Sequence, residues 1–412
     1  MMLDARVVAL LAAMIAVSLC NAQQMEGGQV HDEWVSEKDF RSIEFGFNTT
    51  YLNSTFKFKP ALKKLADNGQ MNVRVYEPFT RSQHKDPEKS MQMLKWLHNR
   101  GFKVLLSLSN FPYKIDERLG QLSKLPSGNR DFPIKAIGYS NRYPPVNTEE
   151  YKQFLRSYLT QMQAGGIMDS FEFEVGNEPN APRYFWGNVS DWNIVRDAAI
   201  EVLAEFGKRP LCCGYTSSMF LHTPSKDHHL PFIESFVTDT ASARAFDLSF
   251  HVYLNMGERS ADLKTPLIPV KKGVITEYGI FSHYSPEVAE KKNSPLYVAK
   301  ISELLEFTYN NEISRVYLFP LMDDRKKKGT MGYFDGEGSP KACYSYFKIV
   351  WDVVRDGYFV ERSDDRITIT GRESVLIVAL TSLSMDLENV VIQSTVNGNL
   401  EFGKGDWCIF VK

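Results

Sequence analysis

Two glutamates stand near the ends of short β-rich segments, where their carboxyl groups could act as a pair. Glu178 follows the segment 170–175 in the run EVGNEPN, and Glu277 lies late in the apolar segment 273–278. One carboxylic acid can protonate the leaving oxygen of a glycosidic bond while a second carboxylate faces the developing oxocarbenium ion. In a retaining enzyme the two groups lie about 5–5.5 Å apart. These residues therefore predict glycosidic chemistry, provided that the fold brings the two segments together.

Eight short β-rich segments alternate with longer segments of helical periodicity. The β-rich segments are 43–48, 71–76, 103–109, 170–175, 210–215, 246–253, 273–278 and 314–319. The helical segments are 60–68, 87–100, 148–162, 190–206, 295–309 and 341–354, with a short helix expected at 230–237. Repeated β-then-α units predict an α/β fold, a closed (β/α)8 TIM barrel. A doubly wound open sheet is the alternative, but the run FNTT after the first segment lacks its glycine-rich phosphate turn.

The pattern changes after residue 355. Short β-rich segments separated by Gly, Asp, Ser and Asn follow at 358–361, 366–370, 375–380, 390–395 and 407–411. Such spacing is typical of antiparallel sheets. We expect a signal peptide at 1–22, a catalytic barrel at 23–355 and a small, sandwich-like antiparallel β domain at 356–412.

The beginning of the chain resembles a secretory signal peptide. Arg6 precedes an apolar run over 7–20, and a small residue, Ala22, offers a cleavage point before a polar pair. The run is too short for a membrane span, and no later segment has the roughly 18 consecutive apolar residues that a span requires. We therefore expect a secreted or lysosomal protein without a membrane span.

The composition limits the other classes. Lys and Arg number 48 against 50 Asp and Glu, so a net charge of −2 argues against nucleic acid as a partner. Five cysteines are too few for a disulfide scaffold. After cleavage four remain, and a disulfide from the first two to one of the others, or free buried thiols, are both open: Cys212, Cys213, Cys343 and Cys408. Their spacing is not a zinc pattern, and we expect neither metal nor cofactor.

The barrel prediction gives the fourth segment an orientation. Active residues of such barrels lie at the C-terminal ends of the strands. With a period of two, Glu172, Glu174 and the line toward Glu178 face the lumen. Buried carboxylates need partners. Arg74, on the second segment, is a candidate partner for Glu172 or Glu174. Glu277 by itself could equally be a solvated or salt-bridged residue at the end of a strand.

The run EVGNEPN resembles the Asn-Glu-Pro signature of the retaining (β/α)8 glycoside hydrolases of clan A. The resemblance implies Glu178 as acid/base and Glu277 as nucleophile. It also implies Asn177 as the donor to the sugar 2-hydroxyl and Arg74 as the arginine beside the nucleophile.

Two further segments resemble narrower groups. The run HVYLN, 251–255, is similar to the His-x-Tyr-Leu-Asn stretch of heparanase-like (family 79) enzymes, which implies that His251 or Tyr253 contacts the nucleophile. We assign His251 a positioning role only. The segment 332–344 resembles the approach to helix eight in heparanase-like and family 39 enzymes. The C-terminal β region is much shorter than in heparanases, so the substrate does not follow.

Several residues near the expected mouth of the barrel bear on the substrate, a poly- or oligosaccharide. Trp186 is a candidate platform for a sugar ring, whereas Trp192 is expected to pack in a helix. Three sequons occur, at Asn48, Asn53 and Asn188, and we expect Asn53 or Asn188 to be glycosylated more fully than Asn48. A catalytically silent carbohydrate-binding or extracellular-matrix protein on the same barrel is the alternative to an enzyme.

Basic residues are concentrated in two loops of the same face. The loop 110–146 carries six basic and three acidic residues, and four basic residues follow at 325–328. The pattern fits an acidic glycan and equally fits a solvated charged rim. If the glycan is acidic, its hydrolysis should slow as salt rises from about 10 mM to about 150 mM, because the attraction is screened. Measuring kcat/KM for charged and neutral polysaccharides tests this, and a charged substrate that is insensitive to salt contradicts it.

Overall fold

The computed structural model describes residues 40–51, 56–77, 87–108, 113–114, 139–140, 147–180, 185, 187–215, 232, 246–254, 272–280, 292–293, 296–323, 332–363, 366–372, 374–379, 391–396, 399–402 and 408–411. The signal peptide at 1–22, Asn53, Trp186 and the basic run at 325–328 lie outside them, as do all but one residue of the expected helix 230–237 and most of the loop 110–146. The chain divides into two compact units, Met1–Arg41 and Ser42–Lys412. Every element named below belongs to the second unit.

Eight parallel strands close into a barrel. They are β1 (Glu44–Tyr51), β2 (Asn72–Glu77), β3 (Lys103–Leu108), β4 (Phe171–Val175), β5 (Leu211–Tyr215), β6 (Asp247–Leu254), β7 (Val274–Ile280) and β8 (Arg315–Leu318). Each strand pairs with the next along the chain, and β8 pairs with β1, where Glu44 lies opposite Arg315. This order confirms the predicted (β/α)8 barrel.

Helices lie between the strands and cover their outer faces. The described ones are α1 (Lys59–Asp67), α2 (Pro87–His98), α3 (Thr148–Ala164), α4 (Val189–Glu205), α5 (Leu296–Asn310) and α6 (Ala342–Val354). Asn147 caps α3 by accepting from two backbone N–H groups of its first turn. The sequence placed the start of α4 at Ser190, but Asn188 is the cap and forms a reciprocal pair with Asp191.

The barrel has an apolar floor inside it. Residues of β3, β5, β7 and β8 form a small cluster separate from the main core between strands and helices: Leu105, Leu211, Val274 and Tyr317. Leu105 is in register with Arg74, and neighbours in a parallel sheet point to the same side. Because Arg74 contacts residues of other strands across the lumen, the cluster lies within the barrel and excludes water beneath the polar residues above it.

A six-stranded sheet follows the barrel. Its strands are β9 (Tyr358–Arg362), β10 (Arg366–Gly371), β11 (Val375–Ala379), β12 (Val391–Val396), β13 (Asn399–Phe402) and β14 (Cys408–Val411). All pairs are antiparallel except β12 with β14. In β10, Ile367 and Ile369 are both buried and alternate with more exposed residues, so the sheet has one buried face. The Tyr358 hydroxyl lies 2.9 Å from Thr308 Oγ1 of α5, which joins the sheet to the barrel.

The described cysteines and helices bear on the disulfide and membrane-span predictions. Cys212 and Cys343 are buried, and neither forms the disulfide that the sequence left open. The helices of the described segments include none with the length and apolar character needed to cross a bilayer.

Candidate active site

A sharp turn after β4 places Glu178. The strand ends at Val175, and Gly176 follows with a φ of 84°. A side chain at Gly176 would collide with the Trp192 ring, so this close approach requires glycine. Glu178 itself adopts a φ of 50°, in the left-handed region that costs a non-glycine residue free energy. Its N–H donates to Gly214 O at 3.0 Å, which holds the turn.

This turn corrects one sequence interpretation. Glu172, Glu174 and Glu178 do not form a continuous line along the lumen, because the strand alternation stops before Glu178. Glu172 is exposed at the opposite end of the barrel, where Arg315 binds it. A cavity of about 260 Å³ lies at that end and is lined in part by Glu44 and Lys103. Only Glu174 remains as a buried carboxylate of β4.

Arg74 is fully buried in the lumen and binds four residues of the site. Its Nε donates to Glu174 Oε2 at 2.7 Å, and its Nη1 donates to Glu277 Oε1 at 2.7 Å. Its Nη2 donates to Asn177 Oδ1 at 2.9 Å and to Ser107 Oγ at 3.3 Å. The planar fork of arginine suits several carboxylate and amide oxygens at once. Of the two partners considered from sequence, Glu174 is the one observed.

Strand β6 supplies two more groups. An irregularity between Phe250 and His251 brings His251 opposite Glu277 in the register. His251 Nδ1 lies 2.8 Å from Glu178 Oε1 and 3.6 Å from Glu277 Oε2. The Tyr253 hydroxyl donates to Glu277 Oε2. Both candidate catalytic carboxyls are thus held by neighbours from β6, and of these two neighbours Tyr253 is the one with a direct hydrogen bond to Glu277.

The two carboxyl groups approach each other closely. One oxygen of Glu178, one oxygen of Glu277 and a ring nitrogen of His251 all lie within 4.8 Å of one another. The side chain of Glu178 is 14% exposed and that of Glu277 is 11% exposed. Both carboxyls therefore reach the edge of the lumen, where a substrate can contact them.

Electrostatics favour an ionised Glu277. Burial raises the pKa of this carboxyl, but the charges of His251 and Arg74 and hydrogen bonds from Tyr253 and Arg74 outweigh burial, so its pKa is lowered. Burial likewise lowers the pKa of the Arg74 guanidinium, and Glu174 and Glu277 hold that pKa above its ordinary value. One buried cation, Arg74, is therefore paired with two carboxylates, Glu174 and Glu277.

The same cluster is where the described residues could hold a metal ion. Glu178, His251 and Glu277 offer three ligand atoms at suitable separations. However, Arg74 and Tyr253 already bind the oxygens of Glu277, and a guanidinium 2.7 Å from that carboxylate repels a divalent cation. The donor set does not fit a resident metal.

The remaining predicted residues have different outcomes. Asn48 of β1 is 1% exposed, and its Nδ2 donates to Thr276 O of β7 at 3.0 Å. Because glycosylation needs that nitrogen at the surface, the burial of Asn48 disfavours its modification. Asn188 is exposed at the start of α4, and its Oδ1 caps the helix. Its Nδ2, the atom that a glycan would modify, belongs to this exposed side chain. Trp192 is buried against Phe185.

Sequence reasoning missed two residues of the site. Ser107 links Arg74 to the Gly176 carbonyl, which its hydroxyl contacts at 3.0 Å. Phe319 follows β8 and packs edge-on against Tyr253 with ring centroids 6.1 Å apart. A serine inside an otherwise apolar strand was the available signal for the first, while nothing in the local sequence singles out the second.

Solved structures similar to this chain include glycoside hydrolases. A family 30 subfamily 8 xylanase from Clostridium acetobutylicum is 13% identical, with 83% of this chain and 81% of that chain covered and a TM-score of 0.49. A GH5_18 protein from Streptomyces cattleya in complex with GlcNAc is 15% identical, with coverages of 87% and 86% and a TM-score of 0.49. An endo-beta-1,4-mannanase from Thermotoga petrophila is 13% identical, with coverages of 86% and 87% and a TM-score of 0.43.

These similarities are too low to transfer a residue role to this chain. No protein-family model and no curated protein matches it. The resemblance to heparanase-like and family 39 enzymes stays a prediction.

The lowered pKa of Glu277 makes a testable contribution to stability. A carboxyl whose folded pKa is depressed stabilises the fold above its ordinary pKa of 4.5, and this contribution is lost as the pH falls through the folded value. The free energy of unfolding of the wild type minus that of Glu277→Gln should therefore fall below pH 4.5, by about 1.4 kcal/mol per unit of pKa lowering. Urea unfolding between pH 7 and pH 3 measures it, with the exposed Glu361→Gln as control. A difference that stays constant over this range contradicts the lowered pKa.

Proposed function

We propose that this protein is a retaining glycoside hydrolase that cleaves the O-glycosidic bonds of a β-linked glycan by double displacement. The observation that carries the proposal is the pair Glu178 and Glu277, whose nearest oxygens lie within 4.8 Å at the C-terminal end of a closed barrel. Retaining enzymes separate their carboxyls by about 5–5.5 Å, whereas inverting enzymes need about 6.5–9.5 Å to admit a water. The spacing favours retention.

In the first step Glu277 is the nucleophile. It attacks the anomeric carbon as Glu178 gives its proton to the leaving oxygen, which yields a covalent glycosyl ester on Glu277. Arg74 and Tyr253 each bind one oxygen of Glu277 and so aim the carboxylate. The same contacts lower its pKa and keep it ionised before attack.

In the second step Glu178 acts as a base. It takes a proton from a water molecule that attacks the anomeric carbon, the ester bond to Glu277 breaks, and Glu178 ends protonated as it began. His251 Nδ1, at 2.8 Å from Glu178 Oε1, holds this carboxyl in one orientation through both steps. His251 is therefore a positioning residue.

Asn177 is placed to bind the sugar. Arg74 donates to its Oδ1, so its Nδ2 is left as the donor of the amide. In the proposed reaction Nδ2 donates to the 2-hydroxyl of the sugar bound at Glu277. Hydrogen bonds to this hydroxyl that strengthen in the transition state contribute several kcal/mol to catalysis in glycosidases.

The proposal extends to the substrate and the compartment. An acidic glycan is supported by the basic surplus of the loop 110–146 and of the run 325–328 in the sequence. A secreted or lysosomal location is supported by the signal-like segment 1–22, with glycosylation proposed at Asn53 or Asn188. A silent carbohydrate-binding or matrix protein remains the rival, which the intact carboxyl pair disfavours.

Covalent trapping tests the function. A panel of aryl glycosides first identifies the sugar, and the matching 2-deoxy-2-fluoro glycoside with an activated leaving group should then add one glycosyl unit to Glu277, found by peptide mass spectrometry. Glu277→Gln should stay unlabelled, because an amide cannot form the ester. Glu172→Gln, at the opposite end of the barrel, is the matched control and should label like the wild type. A wild type that hydrolyses no glycoside and takes no label is the outcome expected of the silent binding protein.

A further inference from the structure

Two polar atoms are buried without partners behind the carboxyl pair. Glu174 Oε1 and His251 Nε2 have no hydrogen-bond partner among the described residues, although both side chains are fully buried. The other end of each group is occupied, since Arg74 binds Glu174 Oε2 and Glu178 binds His251 Nδ1. An unpaired buried polar atom destabilises a protein, so such pairs of atoms call for a ligand.

Gly214 keeps a space open for both atoms. It lies on β5, between the strands that carry Glu174 and His251, and has a φ of 58°. A Cβ at this position would lie 3.0 Å from His251 Nε2 and 3.2 Å from Glu174 Oε1. Its N–H donates to Ser249 Oγ at 2.8 Å, so the backbone is fixed beside the space. Two unpaired atoms from neighbouring strands thus face one glycine.

We propose that one ordered water molecule lies beside Gly214, accepts a hydrogen bond from His251 Nε2–H and donates one to Glu174 Oε1. A carboxylate held by Arg74 offers only acceptors, so a bridging water must donate to it. Buried waters characteristically join polar groups that the protein leaves unpaired. The nearby Arg74 guanidinium disfavours a cation in the same place.

This water makes Glu174 a positioning residue for the acid/base carboxyl, an assignment that rests on the proposed function. With its proton on Nε2, neutral His251 presents the lone pair of Nδ1 to the protonated Glu178. One chain of contacts then runs from Glu277 through Arg74, Glu174, the water and His251 to Glu178.

The state of His251 Nε2 is directly measurable. Among the described residues, the charged and titratable groups that face His251 are Glu178, Glu277, Glu174 and Tyr253, with Arg74 beyond Glu174. Nitrogen-15 NMR of histidine-labelled protein should show Nε2 protonated across the pH range of the folded state, and a high-resolution crystal structure should show one water bonded to both atoms. An unprotonated Nε2, or no water there, overturns the proposal.

Gly214→Ala removes the water by filling its space. The variant should lower kcat about tenfold with little change in KM, a fraction of the typical contribution of acid/base catalysis. The alkaline limb of kcat/KM reports loss of the acid proton of Glu178. It should move to lower pH, because an Nε2–H that has lost its acceptor favours the ring with its proton on Nδ1, and Nδ1–H stabilises the ionised carboxylate of Glu178. Gly207→Ala is the control, since Gly207 also has a positive φ, 68°, but nothing lies within 4 Å of its Cβ position. A Gly214→Ala protein with a lower Tm but an unmoved pH profile overturns the proposal.

Glu174→Gln provides a second variant if Gly214→Ala does not fold. Arg74 Nε needs an acceptor, so the amide oxygen should face Arg74 and the NH2 group should face the water. The water then donates toward His251, and the NMR signal should report protonation on Nδ1 in place of Nε2; an unchanged signal overturns the proposal. The NMR and crystallographic readouts need no enzymatic activity. An inactive protein with a protonated, water-bonded Nε2 therefore refutes the proposed function alone.

Discussion

The buried guanidinium of Arg74 is the interaction on which the rest of the site depends. A charge inside a barrel is strongly disfavoured unless paired, and here carboxylates from two different strands, Glu174 and Glu277, pair with it. A third donor, Nη2, binds Asn177. One side chain of β2 thereby fixes residues of β4, of the turn after it and of β7. Removing either carboxylate would change the orientation of the other.

The barrel makes this arrangement possible by separating apolar and polar layers within one lumen. The apolar floor below Arg74 excludes water, which strengthens the ion pairs above it. The strained turn at Glu178 and the register irregularity before His251 then bring their side chains together above the ion pairs. Both are local departures from regular strand geometry, and they occur where the proposed chemistry takes place.

The barrel could be predicted from the sequence, because strand and helix periodicities are visible in the local order of apolar and polar residues. The sequence was also sufficient to single out Glu178 and Glu277, because carboxylates at the ends of apolar segments are unusual. It could not show the sharp turn that follows β4 and orients Glu178, since strand alternation carries no information about a turn held by the Gly214 carbonyl. Glu172, which was expected to face the lumen, is exposed near the start of β4 and pairs with Arg315. Burial of Asn48 depends on a hydrogen bond to β7, which no local pattern reveals.

The central claim is that Glu178 and Glu277 act on one anomeric carbon from a distance too short to admit an attacking water between sugar and carboxylate. Proton NMR of the reaction with a β-glycoside substrate measures the configuration of the product before it mutarotates. Double displacement at this pair predicts that the β anomer appears first. The α anomer as the first product would show direct displacement by water and would contradict it.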